Sequence, residues 1–338
     1  MPETVVIRLP NWLGDTVMAV PAIRALQASR AEARFVLAGP WAFLLAGQGL
    51  ADVLVDYPRH WTGRLRTADS VRALHGDVAV LLPSSLEAAV AGQYWGARRL
   101  VGFAAGGRSW LLTDAVPVPS PRRHQVDEYL LLVEHLGAVV DERMPRLRVP
   151  DRQSVERRRV RALIEEGAGA QPCSHRPRIG LHLGAAFGSS KVWPHERVVE
   201  FCRVLEERGA TTVLLGSPAE GPAADAVVSR VPALSLVGRD RPELLTAVLA
   251  EMDVLVSGDT GVGHLAAALG TPVVTLFGPT DPALTAPRGP GRVLRQPVPC
   301  APCFYRVCPI DHPCLKRIAA TMVVDEVLSV LESGGRGR

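Results

Sequence analysis

Short apolar segments, each followed by a glycine-bearing loop and then by a stretch of helical spacing, recur along this chain, and the pattern restarts midway. Thr4–Arg8 (TVVIR) runs into Pro10–Asp15 (PNWLGD) and then into Thr16–Gln27, whose apolar residues recur as on one face of a helix. Arg178–Leu183 (RIGLHL) runs in the same way into Gly184–Pro194 (GAAFGSSKVWP) and a helix over Pro194–Gly209 that opens with proline. Further strands are expected at Arg34–Ala38, Asp52–Val55, Asp77–Leu82 and Arg99–Gly102, with a helix over Arg122–Gly137. The second half adds strands at Thr211–Leu215, Leu234–Val237, Asp253–Ser257 and Pro272–Phe277. Its helices fall at Pro218–Val231, Pro242–Glu251, Gly261–Leu269 and Val323–Leu331, ahead of a GGRGR tail. Strands alternating with helices imply parallel sheets built from βαβ units, so the fold class is α/β.

The chain has 338 residues, enough for two domains with their own cores. Gly167–Pro177 (GAGAQPCSHRP) has no apolar period and reads as the linker, dividing the chain into 1–170 and 171–338. A hydrophobic fraction of 47% with 21% charged residues excludes a disordered chain. The net charge of +4 is shared by both halves, and no basic face announces nucleic acid. The N-terminus lacks a signal-peptide pattern, and no apolar run is long enough to span a bilayer. Six cysteines are too few for a disulfide scaffold of this length, so a reduced, cytoplasmic protein is expected.

Ligands of such sheets bind at the carboxyl ends of the strands, and three loops there are unusually constrained. In Pro10–Asp15, glycine permits a tight turn and Asp15 falls at a helix start, where it could act chemically or simply cap the helix. In Gly184–Pro194, small and hydroxyl residues with one lysine precede a helix, which suits a phosphate; the alternative is an ordinary loop with a solvated Lys191. No Walker pattern is present. The third loop, Ser257–His264 (SGDTGVGH), offers backbone N–H groups to an anion. It also contains G-x-G-x-x-A, with Asp281 further on, which leaves an NAD-dependent oxidoreductase as a competing reading. That fingerprint normally opens the first βαβ unit of a domain, whereas this loop follows the fourth strand of its half. His264 has the alternative of being an ordinary helix-start histidine bonded to backbone.

Cys300, Cys303, Cys308 and Cys314 have the spacing C-x2-C-x4-C-x5-C, with His312 inside. Four such ligands could close a structural zinc site, and reduced thiols packing a proline-braced loop are the alternative.

Taken together, PNWLGDTVMAVPAIRAL, GAAFGSSKVWP, GSPAE, GDTGVGHLAAALGTPVVTLFGPTDP and CAPCFYRVCPIDHPCL resemble the ADP-heptose:lipopolysaccharide heptosyltransferases of glycosyltransferase family 9, nearest the heptosyltransferase II branch. The motifs stand in family order from residue 8 to about 318, nearly the whole chain. The resemblance implies a GT-B fold, two Rossmann-like domains facing across a cleft, with acceptor bound by the first and donor by the second. It further implies a last helix packing back on the first domain. It implies an inverting transfer of L-glycero-D-manno-heptose from ADP-heptose to a hydroxyl of the lipopolysaccharide inner core. Asp15 matches the general base, Lys191 the contact to the donor phosphates, and Glu220 the residue that holds the ribose. Asp259, Thr260, Gly261 and His264 match the loop around the diphosphate and the sugar; Ser189 and Ser190 fall at donor-loop positions that vary between branches.

The residue types suit that chemistry. A carboxylate acting as general base contributes about 10²–10⁴-fold, while N–H donors and an ammonium stabilise the departing diphosphate. No catalytic metal is called for, since the sequence lacks an Asp-x-Asp motif and Lys191 supplies the cation. The implied partners are the nucleotide sugar and a lipid-linked glycan at the inner face of the inner membrane, with a monomer expected and no nucleic acid. Arg59, His60, Arg64, Arg66, Arg98, Arg99 and Arg122–His124 are candidate contacts to an acidic acceptor, although scattered arginines are commonly solvated. A second reading keeps the fold and donor but changes the acceptor to another envelope glycan or a natural product.

Overall fold

Parallel strands need long crossovers, and both halves of the chain supply them with helices. The structure, a computed structural model, describes residues 2–168, 176–239 and 241–334. It divides into two units, Met1–Pro145 and Arg146–Arg338.

The first unit contains β1 (Thr4–Arg8), β2 (Arg34–Gly39), β3 (Val53–Asp56), β4 (Val78–Leu81), β5 (Arg99–Phe103) and β6 (Asp114–Val116). They form one parallel sheet of order β3-β2-β1-β4-β5-β6. The second unit repeats that order, β12-β11-β10-β7-β8-β9. Its strands are β7 (Arg178–His182), β8 (Thr211–Leu215), β9 (Leu234–Ser235), β10 (Val254–Gly258), β11 (Val273–Phe277) and β12 (Gly291–Arg295). Strands such as VVIR and TTVLL are buried along their whole length because helices cover both faces of a parallel sheet. In both sheets the order reverses between two adjacent strands, β1 and β4 in the first and β7 and β10 in the second. Such a reversal opens a crevice at the strands' carboxyl ends. These paired Rossmann-like sheets are of the GT-B type implied by the motifs.

Several elements differ from the sequence reading. The single helix expected over Thr16–Gln27 is two, Leu13–Met18 and Val20–Ser29, because Pro21 has no N–H to continue the ladder. The short edge strands β6 and β12 and the helix Val155–Ala168 have no counterpart in that reading. That helix belongs to the second unit, so the division falls ahead of the boundary expected at residues 170 and 171. Glu251, almost wholly buried, accepts from Arg157 (2.7 Å), Arg161 (2.8 Å) and Arg178 (3.2 Å), tying the helix to the sheet. Most of the expected linker, residues 169–175, lies outside the described residues, as do residues 335–338 of the expected tail. The last helix, Ala320–Gly334, packs within the second unit, against the helix His195–Glu207 and strands β10 to β12.

Candidate active site

In the first unit, the loop Pro10–Asp15 leaves the carboxyl end of β1 at the reversal point. Arg8 lies buried beneath it and donates to the Leu9 carbonyl and to Asn11 Oδ1, the latter at 2.7 Å. Burial pushes the Arg8 guanidinium down to about 10, and it stacks on the Tyr57 ring at 4.7 Å. Trp41 Nε1 donates to the Asn11 carbonyl at 3.2 Å, fixing the same residue from the other side. Asp15 stands in the first turn of Leu13–Met18, where a carboxylate is favoured by the helix dipole. Trp12 holds the cap position, and its own side chain makes no capping bond.

Of the arginines singled out from sequence, Arg59 stands beside this loop, with its guanidinium over the rings of Trp12 (5.0 Å) and Trp41 (5.4 Å). Arg64 pairs with Glu87 at 2.9 Å, Arg98 with Asp77, Arg99 with Asp114 at 2.7 Å, and Arg122 with Glu128 at 2.6 Å. Those four are committed to carboxylates of their own unit.

In the second unit, the loops after β7, β8 and β10 converge at the reversal between β7 and β10. Lys191 Nζ donates to Asp259 Oδ2 at 2.5 Å and to the Asp259 carbonyl at 3.0 Å. Both side chains are at least nine-tenths buried. Thr280 Oγ1 donates to the same carboxylate oxygen at 2.7 Å, and the Lys191 ammonium lies 4.6 Å from the Phe187 ring centroid. Gly258 is required here, because a Cβ would stand 2.7 Å from the Lys191 carbonyl oxygen. Thr260 opens the helix Gly261–Ala268 without capping it; its hydroxyl pairs with Ser257 Oγ at 2.8 Å. The amides at that helix start therefore lack a side-chain acceptor from their cap residue, a suitable arrangement for an anion. His264 is buried within the same helix.

Glu220 packs over Gly184 and Gly216, close enough that a Cβ on Gly184 would meet its carboxyl group at 2.7 Å. Ser217 Oγ donates to Glu220 Oε2 at 2.7 Å. His182, at the end of β7, lines a small cavity with Lys191, Trp193, Ser257 and Leu276. Burial pushes its imidazole down to about 4, against the opposing pull of Glu220, and among the described residues Nδ1 has no hydrogen-bond partner.

Ser189 is exposed, whereas Ser190 is buried and faces the cysteine-rich loop. Its hydroxyl donates to the Tyr305 carbonyl at 2.5 Å and its N–H to the Arg306 carbonyl at 3.1 Å. The four cysteines of that loop are free thiols, Cys314 buried and Cys300 exposed, and burial pushes the Cys314 thiol up. Cys308 Sγ accepts from the backbone N–H of His312 at 3.1 Å. Among the described residues no group of three His, Cys, Asp or Glu that could hold a metal ion is found. The G-x-G-x-x-A segment also departs from a dinucleotide fingerprint. Gly261 and Gly263 lie inside the helix Gly261–Ala268, not in the turn before it.

Sequence reasoning missed Thr280, Ser217, Gly258 and the Trp12–Arg59–Trp41 stack. Thr280 is separated from Asp259 by a whole strand and helix, and no spacing rule connects them.

Two Rossmann-like sheets of identical strand order, each with constrained loops at its reversal point, are the architecture of the GT-B class. The model of glycosyltransferase family 9 (heptosyltransferase) matches residues 64–313, and the chain belongs to that family. It is 28% identical to lipopolysaccharide heptosyltransferase 2 of Salmonella typhimurium, covering 96% of this chain and 98% of that one. Among solved structures it is similar to E. coli ADP-heptose lps heptosyltransferase II, with a TM-score of 0.81 at 24% identity over 98% of this chain and 99% of the other. A family 9 glycosyl transferase from Veillonella parvula superposes with a TM-score of 0.83 at 17% identity, covering 98% and 97%.

Proposed function

We propose that the protein transfers L-glycero-D-manno-heptose from ADP-heptose to a hydroxyl of the lipopolysaccharide inner core, with inversion at the anomeric carbon. The observation that carries this reading is the buried Lys191–Asp259 pair at the β7/β10 reversal point, with an uncapped helix start beside it. The near full-length similarity to lipopolysaccharide heptosyltransferase 2 supports the choice of donor and acceptor.

Lys191 and the amides at the start of Gly261–Ala268 take the diphosphate, and Asp259 holds the ammonium in place until it arrives. Glu220, braced by Ser217, accepts from the ribose hydroxyls. Thr260, Gly261 and His264 line the diphosphate and sugar, with Ser189 at the loop's exposed edge. In the first unit Asp15 removes the proton of the attacking hydroxyl as the new C–O bond forms and the bond to the diphosphate breaks. The leaving group departs as ADP, its charge stabilised by the ammonium and the N–H donors. Metal is not required by any of these steps.

The test is calorimetric titration with ADP-heptose, ADP and NAD, followed by a transfer assay on inner-core acceptor. Binding of ADP-heptose and ADP with product formation is expected. Binding of NAD alone would overturn the transferase reading; ADP-heptose binding without transfer to inner core would overturn the acceptor.

A further inference from the structure

The side chain of Phe187, in the loop after β7, meets two cations. The Lys191 ammonium lies 4.6 Å from its ring centroid and the Arg306 guanidinium 5.6 Å. An aromatic ring attracts cations through its quadrupole, so it can gather two positive groups that would otherwise repel each other. The two are not equally neutralised. Lys191 is paired with Asp259, whereas Arg306 is exposed and has no carboxylate partner among the described residues. A ring holds a guanidinium in place without cancelling its charge, and it leaves N–H donors of the fork free for a ligand.

The backbone brings Arg306 to this ring. Ser190 donates its N–H to the Arg306 carbonyl at 3.1 Å and its hydroxyl to the Tyr305 carbonyl at 2.5 Å. At Gly188 a Cβ would stand 2.3 Å from that Arg306 oxygen and 3.0 Å from Arg306 Cβ, so glycine lets the two segments approach. Cys303 and Phe304 donate their N–H groups to the carbonyl of Pro279, the residue before Thr280, at 2.9 and 2.8 Å. The cysteine-rich loop is therefore tied both to the loop Gly184–Pro194 and to the segment that orients Asp259. Its arginine shares a ring with the ammonium proposed to meet the donor phosphates.

We propose that Arg306 is a second donor-binding cation, its guanidinium taking the diphosphate of the nucleotide sugar together with Lys191. The inference rests on the donor reading given above and adds to it a residue from the cysteine-rich loop. A planar guanidinium offers parallel N–H donors to a phosphate, where an ammonium acts as a point charge. As the bond from the anomeric carbon to the diphosphate oxygen breaks, its electron pair stays on that oxygen. A second cation already in position stabilises the added charge without reorganisation.

The test is calorimetric titration of wild type, Arg306→Ala and Arg306→Lys with ADP at several salt concentrations, each protein checked for fold by thermal unfolding. Arg306→Ala should bind ADP about ten- to a hundredfold more weakly, the loss of a charge-assisted contact. Its affinity should also fall less steeply with salt than that of the wild type. Arg306→Lys keeps the charge but not the fork and should fall between the two. Equal ADP affinity in wild type and Arg306→Ala would overturn the proposal and leave the donor reading standing. A loss shared in full by Arg306→Lys, with the wild-type salt dependence in both variants, would also overturn it and make Arg306 a prop for the loop. Wild-type protein that binds no ADP would overturn the donor reading and this proposal with it.

Discussion

Lys191 Nζ sits 2.5 Å from Asp259 Oδ2, joining the loop after β7 to the loop after β10 across the point where the strand order reverses. Neither residue is near the other in sequence, and each depends on a third group. Thr280, in the loop after β11, donates to the same oxygen and sets the carboxylate's orientation. Thr280→Val should therefore raise the dissociation constant for ADP-heptose about fivefold, the loss of one hydrogen bond of about 1 kcal/mol. Thr280→Ser should restore it. Calorimetry on the three proteins decides, and equal affinity in all of them would show that Thr280 merely fills space.

Asp15→Asn keeps the size and the polarity of the side chain but removes the carboxylate proposed as the base. Turnover should fall by about 10²–10⁴-fold, with ADP-heptose affinity unchanged because the loops proposed to hold the donor belong to the second unit. A variant with wild-type turnover would reduce Asp15 to a favourable charge in a helix's first turn.

Glu251 answers three arginines from a site almost closed to solvent. Glu251→Ala leaves Arg157 buried without its carboxylate and should cost about 3–5 kcal/mol. Thermal unfolding should report this as a large drop in Tm. Because Arg157 and Arg161 anchor the helix Val155–Ala168, proteolysis should also begin near that helix in the variant. A Tm within a degree or so of wild type would remove the cluster from the list of stabilising features.

His182 gives the fold an acid limit. Its folded-state value of about 4 lies below the ordinary 6.5, so the unfolded chain binds a proton that the native site refuses. The stability tied to a neutral His182 is fully present above pH 6.5 and is lost as the pH falls through that value toward about 4, on the order of 3 kcal/mol in all. His182→Gln should flatten that part of the stability–pH curve, measured by urea unfolding. A slope identical in both proteins between pH 6.5 and 4 would show that other groups set the limit.

Gly188 lies where the loop Gly184–Pro194 meets the cysteine-rich loop, with φ of +151° and the Arg306 carbonyl oxygen 2.3 Å from where a Cβ would be. Gly188→Ala should push the two loops apart, break the Ser190 contacts to Tyr305 and Arg306, and weaken ADP-heptose binding through the displaced Lys191. Faster labelling of Cys300, Cys303, Cys308 and Cys314 by a thiol reagent should accompany the loss. Unchanged affinity and unchanged labelling would mean that the loops move independently.

The βαβ rhythm was legible in the chain because parallel strands buried on both faces must be apolar runs, and glycine and proline mark the loops between them. VVIR, RIGLH and VVTLF needed no tertiary information to be recognised as strands. The glycine-rich loops and their acidic and basic residues were legible for the same reason, since each lies within one strand–loop–helix unit. Strands β6 and β12 were not, because short edge strands carry little apolar pattern, and their pairing with β5 and β11 is what defines them. Helix Val155–Ala168 was hidden by its many arginines, whose partner Glu251 lies about ninety residues away. Only the folded chain could show that Lys191, Asp259 and Thr280 share one carboxylate, that Ser190 turns inward to the cysteine-rich loop, and that four scattered arginines are already paired. Local sequence sets which elements form, through propensity and periodicity. Contacts between residues far apart in the chain are set by the order in which those elements line up in the sheet.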